Sequence, residues 1–90
     1  MTVYFKTQEG NMFVEKGRIL TLGGTKKHSI LTGNNRMELE MIGNYKTEKE
    51  ATEVFNSIVE KIIRPTTKEI EAGIIYIDLK YLLEIMEINK

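Results

Sequence analysis

The 90-residue chain has no cysteine, one proline and one histidine, and each scarcity closes a class of explanation. Without thiols there is neither a disulfide framework nor a thiolate metal cluster, and small secreted domains often depend on such staples. The expected compartment is therefore reducing, and the chain reads as cytoplasmic. One imidazole, His28, cannot build the usual zinc sites from a single chain. No charge of either sign is in excess, because 13 Lys/Arg balance 13 Asp/Glu. That balance argues against a general nucleic-acid binder and against an acidic mimic of DNA. The N-terminus has no positive region followed by an apolar run, so it does not read as a signal peptide. The longest nearly apolar stretch, Ile74 to Ile88, is too short for a membrane span and carries Asp78, Lys80, Glu84 and Glu87. No membrane contact is expected.

What is present is a globular profile: 41% apolar and 29% charged residues in 10.4 kDa, enough for one domain and one core. Over residues 1–42 the apolar residues recur with period two between Gly- and Asn-containing turns, which predicts short antiparallel strands. The spacing puts them at Val3 to Thr7, Met12 to Glu15, Arg18 to Leu22, Ser29 to Thr32 and Arg36 to Ile42. In the last of these, Met37, Leu39 and Met41 are expected on the buried face, with Arg36, Glu38 and Glu40 in water. Gly23-Gly24-Thr25-Lys26-Lys27-His28 reads as a polar hairpin tip.

From Tyr45 the period changes to 3.6. Ala51, Val54, Phe55, Ile58, Val59, Ile62 and Ile63 form one stripe, so residues 47–64 are expected as an amphipathic helix covering the sheet. Thr47 and Glu50 have capping-box spacing, and Pro65 ends the helix. If Phe55 lies at the centre of that contact, Phe55→Ala costs roughly 3 to 5 kcal/mol. Thr66 and Glu69 repeat the capping spacing, Gly73 suits a helix C-terminus, Ile74 to Ile77 suit a strand, and Asp78 suits the cap of a last helix. One continuous helix from Thr67 to Ile88 is the rival, but Gly73 in its interior would cost about 1 kcal/mol relative to Ala. The fold class expected is α+β: an antiparallel meander of about five strands, one covering helix, then a C-terminal strand and short helix.

The segments Tyr4-Phe5-Lys6-Thr7-Gln8-Glu9-Gly10 and Ile42-Gly43-Asn44-Tyr45-Lys46-Thr47-Glu48-Lys49-Glu50-Ala51 resemble small uncharacterised meander-plus-helix proteins of Gram-positive bacteria and their phages. The resemblance covers roughly residues 2–63. It implies an intracellular bacterial or phage origin and no defined activity. Residues 66–90 are longer and more apolar than that group leads one to expect.

No motif carries chemistry. His28 lacks an orienting partner in the sequence, and adjacent Ser29 points to the opposite strand face. Gly23 to Lys27 lacks phosphate-loop spacing and a following helix. Glu38 with Glu40, and Glu48 with Glu50, carry no mark of burial that would separate their pKa values. No enzyme activity and no cofactor are expected.

Two binding readings remain. Between Ile74 and Ile88, eleven of fifteen residues are apolar, more than one face of a strand or helix absorbs. Tyr76, Leu79, Tyr81, Leu82, Ile85 and Met86 are therefore the expected interface of a homodimer or protein complex. Alternatively, residues 1–36 hold six basic and two acidic side chains, a balance of +4, while residues 37–90 hold seven and eleven, a balance of −4. Lys26, Lys27, His28 and Arg36 would then gather at adjoining loop tips to meet an anionic ligand or nucleic acid. Against nucleic acid stands the want of exposed aromatics for base stacking, since Phe5 and Phe13 read as core.

Overall fold

The computed structural model describes residues 1–10 and 12–88, with side chains through residue 85. Its order is β1 (Thr2–Lys6), β2 (Phe13–Glu15), β3 (Ile19–Gly23), β4 (Ser29–Gly33), β5 (Leu39–Asn44), α1 (Glu48–Ile63), α2 (Thr67–Ala72), β6 (Ile74–Asp78) and α3 (Leu79–Ile88). The fold is α+β, as the periodicities predict. The strands divide into two sheets, in the orders β2-β1-β6 and β3-β4-β5. The second is an antiparallel meander. In the first, β6 lies parallel to β1, pairing Val3 with Ile75 and Phe5 with Ile77. A parallel pair needs a long crossover, and here most of the chain supplies it.

One core joins the two sheets to the helices. Val3 and Phe5 of β1, Ile75 and Ile77 of β6, Ile30 and Ile42 of the meander, and Ala51, Val54 and Ile58 of α1 are buried together. Each large aliphatic side chain so buried contributes about 1.5 to 3 kcal/mol. Helix α1 lies against β3, β4 and α3, and α3 lies against β1.

Most local signals act as their chemistry requires, although of the expected Thr47–Glu50 capping box only the Thr47 half forms among the described residues. Thr47 Oγ1 accepts the Glu50 N–H at 3.1 Å and starts α1, and Arg64 caps its end. Thr66 and Glu69 form a complete capping box, with Glu69 Oε1 accepting the Thr66 N–H at 2.8 Å. That backbone bond is the main reason the Glu69 carboxyl is held below its ordinary pKa. Gly73 closes α2 at φ +71°, a left-handed conformation that glycine adopts without steric cost. Asp78 Oδ1 accepts the Tyr81 N–H at 3.0 Å, so α3 opens where β6 ends. The C-terminal segment is thus broken into α2, β6 and α3.

Two expectations about packing change. β5 carries a bulge opposite Ile30 and Leu31: Leu31 pairs with Met41, whereas Ile30 pairs with Gly43. The extra residue, Ile42, enters the core beside Ile30. Met41 consequently faces outward at 54% exposure, and Met37 sits in the preceding turn at 96%. Of the three residues expected inward, only Leu39 is half-buried. On α1 the buried centre is Ala51, Val54 and Ile58, with Phe55, Val59 and Ile62 half-buried and Ile63 exposed. Phe55 packs beside the core and not at its middle, so its truncation to Ala falls below the range given for a fully buried ring.

Thr32 of β4 ties β3 and the connection that precedes it to the meander. Its side chain is 1% exposed, donates to the Ile19 carbonyl at 2.9 Å and accepts the Gly17 N–H at 3.1 Å. Gly17 packs on the Gly33 backbone so closely that a Cβ there would overlap it. The bend between β2 and β3 is therefore held against β4. No helix among the described residues is long and apolar enough to cross a membrane.

Thr32→Val keeps the volume and loses both bonds; an expected loss of about 1 to 3 kcal/mol should appear as a lower urea midpoint. Ending the chain after Pro65 removes Ile75, Ile77 and Leu79 from the core and leaves β1 without its parallel neighbour. Loss of cooperative unfolding in circular dichroism is the expected result.

Candidate interaction surface

Alternation along the three strands of the first sheet builds its two faces. Val3, Phe5, Ile75 and Ile77 point to the core, so Thr2, Tyr4 and Lys6 of β1 and Ile74, Tyr76 and Asp78 of β6 point away from it. On β2, Val14 packs against the core while Phe13 and Glu15 are exposed. The register sets Tyr4 between Tyr76 and Glu15, and Lys6 between Asp78 and Phe13.

This outer face carries an aromatic platform. The Tyr4 and Tyr76 rings stack with centroids 5.6 Å apart at 20°. Phe13 meets Tyr76 edge-on at 6.0 Å and 77°. Tyr76 is 60% and Phe13 59% exposed, so the platform is open to water. Beside it Lys6 Nζ lies 3.8 Å from Asp78 Oδ2. Asp78 has a double task, since its other oxygen caps α3 and places Tyr81 in the first turn. Stacked and edge-on aromatic contacts add roughly 0.5 to 1.5 kcal/mol beyond buried area and hold the rings in one arrangement.

The expected interface residues separate by depth. Tyr76 and Tyr81 are exposed, the latter at 58%. Leu79 is completely buried and is corrected from interface to core: the residue following β6 enters the protein as α3 begins. Leu82 is partly buried and packs against the same core, as does Leu83. Ile85 is half-buried, and the side chain of Met86 lies outside the described residues. The sequence reading missed Tyr4 and placed Phe13 in the core. Strict alternation around Val3 and Phe5 already put Tyr4 on the far face; what it could not show was that no element among the described residues covers that face.

The four cations proposed as an anion site do not converge. Lys26 and Lys27 are exposed in the turn between β3 and β4. Arg36 is exposed in the turn between β4 and β5. Successive hairpins of a meander turn at opposite ends, so the length of β4, about 17 Å at roughly 3.4 Å per residue, separates Arg36 from the others. His28 is engaged as well, with Nδ1 2.8 Å from Asn44 Oδ1, an oxygen that also accepts the Ser29 hydroxyl at 3.0 Å. That trio ties β4 to the end of β5. No group of three or more acidic or imidazole side chains among the described residues is placed to hold a metal ion.

Among the described residues Tyr45 is the one strongly shifted buried group. It is 4% exposed, and its hydroxyl, which has no hydrogen-bond partner among the described residues, lies over the Gly43 backbone. Burial, reinforced by the negative charge of Glu50, pushes its pKa up to about 12.

No family model, no curated protein and no solved structure matches the chain.

Because the unfolded tyrosine ionises near 10.0 and the folded one near 12, the folded state binds more protons across that interval. Stability from this group is intact below pH 10 and falls by up to about 1.4 kcal/mol per pH unit above it. Tyr45→Phe should flatten that alkaline loss in urea titrations from pH 9 to 12. At pH 7 it should leave stability unchanged or raised, since the buried hydroxyl gains no bond.

Proposed function

We propose that this chain is a small non-enzymatic interaction module, an accessory or regulatory protein of the bacterial or phage-infected cytoplasm. It docks through the outer face of the β2-β1-β6 sheet, with a second copy of itself as partner. The observation that carries this reading is the open platform of Tyr4, Tyr76 and Phe13. Aromatic side chains concentrate at the centres of protein interfaces, where large rings exclude water at small entropic cost. The platform spans all three strands of its sheet, and Lys6, Asp78 and Glu15 alternate with its rings, an arrangement that joins apolar contact to polar selectivity.

The same face speaks against nucleic acid. It carries one cation and two carboxylates, and Lys6 is already paired with Asp78. Stacked bases bring phosphates, which require a positive field that this face does not supply. Self-association fits better, because a two-fold interface joins the same patch on both copies and this face carries charges of both signs. Of the C-terminal segment, Ile75, Ile77 and Leu79 serve the fold, and Tyr76 serves this face.

In sedimentation equilibrium the protein is expected to rise from 10.4 kDa toward twice that mass with increasing concentration. Tyr76→Lys, on an exposed position, should remain monomeric with an unchanged far-ultraviolet spectrum. A wild-type mass that stays at one chain up to millimolar concentration would refute the reading.

A further inference from the structure

Helix α1 offers more apolar surface than the core takes. Ala51, Val54 and Ile58 are fully buried, whereas Phe55, Val59 and Ile62 are half-buried and Ile63 is 66% exposed. At 100° per residue these last four share one flank of the helix. Leu20 of β3 forms the opposite wall, and together they line a groove of about 280 Å³. From Phe55 to Ile63 the floor runs about 12 Å at roughly 1.5 Å per residue, two helical turns.

The groove has a charged bank. Lys16 and Arg18 line its rim, and neither forms an ion pair with a described residue. Their backbone is fixed: the Lys16 N–H donates to the Val3 carbonyl at 2.7 Å and the Gly17 N–H to Thr32 Oγ1 at 3.1 Å. Two cations outside any ion pair with a described residue thus stand on a bend that is held in place beside an apolar floor, Lys16 also bordering a second hollow lined by Glu15, Glu38 and Glu40.

We propose that this groove is a second docking site, and that its occupant is an acidic amphipathic helix of a partner protein. A floor two turns long matches apolar side chains at i, i+3, i+4 and i+7 of a bound helix. The unpaired Lys16 and Arg18 select carboxylates along one flank of that helix and repel a basic one. An acyl chain ending in an anion shares part of this chemistry. The groove is open on the Ile63 side, however, so such a chain would leave one side in water, where a helix presents its polar face.

The test uses the full chain, isotopically labelled, and two 14-residue helical peptides. Both carry Leu at i, i+3, i+4 and i+7; one has Glu and the other Lys at the flanking positions. The acidic peptide should give saturable amide shifts centred on Leu20, Phe55, Val59 and Ile62, and the basic peptide none. Lys16→Glu/Arg18→Glu, or Arg18→Glu alone should the pair disturb folding, should weaken the acidic peptide by about tenfold or more. Affinity should also fall with added salt. Tyr76→Lys should bind the peptide normally, which separates this site from the sheet face. Equal response to both peptides, no saturable shift at the groove, or indifference to the charge reversals would overturn the proposal. So would saturation of the groove by dodecanoate without any response to the acidic peptide, which would assign the site to a lipid anion.

Discussion

The parallel pairing of β1 with β6 is the constraint on which the rest of the structure depends. Five residue pairs, from Thr2 with Ile74 to Lys6 with Asp78, bind two segments far apart in the sequence into one sheet. The pairing places Val3, Phe5, Ile75 and Ile77 on one side, which α1 and the meander then close over. The same pairing places Tyr4 beside Tyr76 and Lys6 beside Asp78 on the other. The interior and the aromatic platform are therefore two faces of one register. A slip by a single residue would exchange them.

Local chemistry was legible in the sequence, and distant partnership was not. Thr47, Thr66, Gly73 and Asp78 sit where their caps and turns require, because each acts within a few residues of itself. The change from period two to 3.6 at Tyr45 marks the passage from strands to helix for the same reason. Nothing local says that β6 lies next to β1, or that β1 and β2 leave the meander to join it. The bulge in β5 is the instructive failure. Met37, Leu39 and Met41 alternate well, yet one inserted residue hands the buried place to Ile42 and turns Met41 to water. Alternation reports a strand; it cannot report where the ladder breaks.

The candidate surfaces show the same division. Surplus apolar character in Ile74 to Ile88 was correctly visible as a property of the segment, while its allocation between core and surface was not. Leu79 went inward because it follows Asp78 into α3, and Tyr76 stayed outward because its neighbours Ile75 and Ile77 face the core. The basic character of residues 1–36 was also real, but a meander distributes its loops between two ends and scatters Lys26, Lys27 and Arg36. The unpaired cations beside an apolar floor are instead Lys16 and Arg18, at the bend where the chain leaves one sheet for the other.

Joining the first strand to one of the last elements also orders events during synthesis. When β1 leaves the ribosome its parallel neighbour does not yet exist, and residues 7–73 must be made before Ile74 to Asp78 arrive to complete the sheet. Until then Phe5 waits with only the short β2 beside it, and a nascent chain in that condition offers an open edge to whatever is near. A pause or stop before Asp78 therefore leaves an adhesive polypeptide and not a smaller working one.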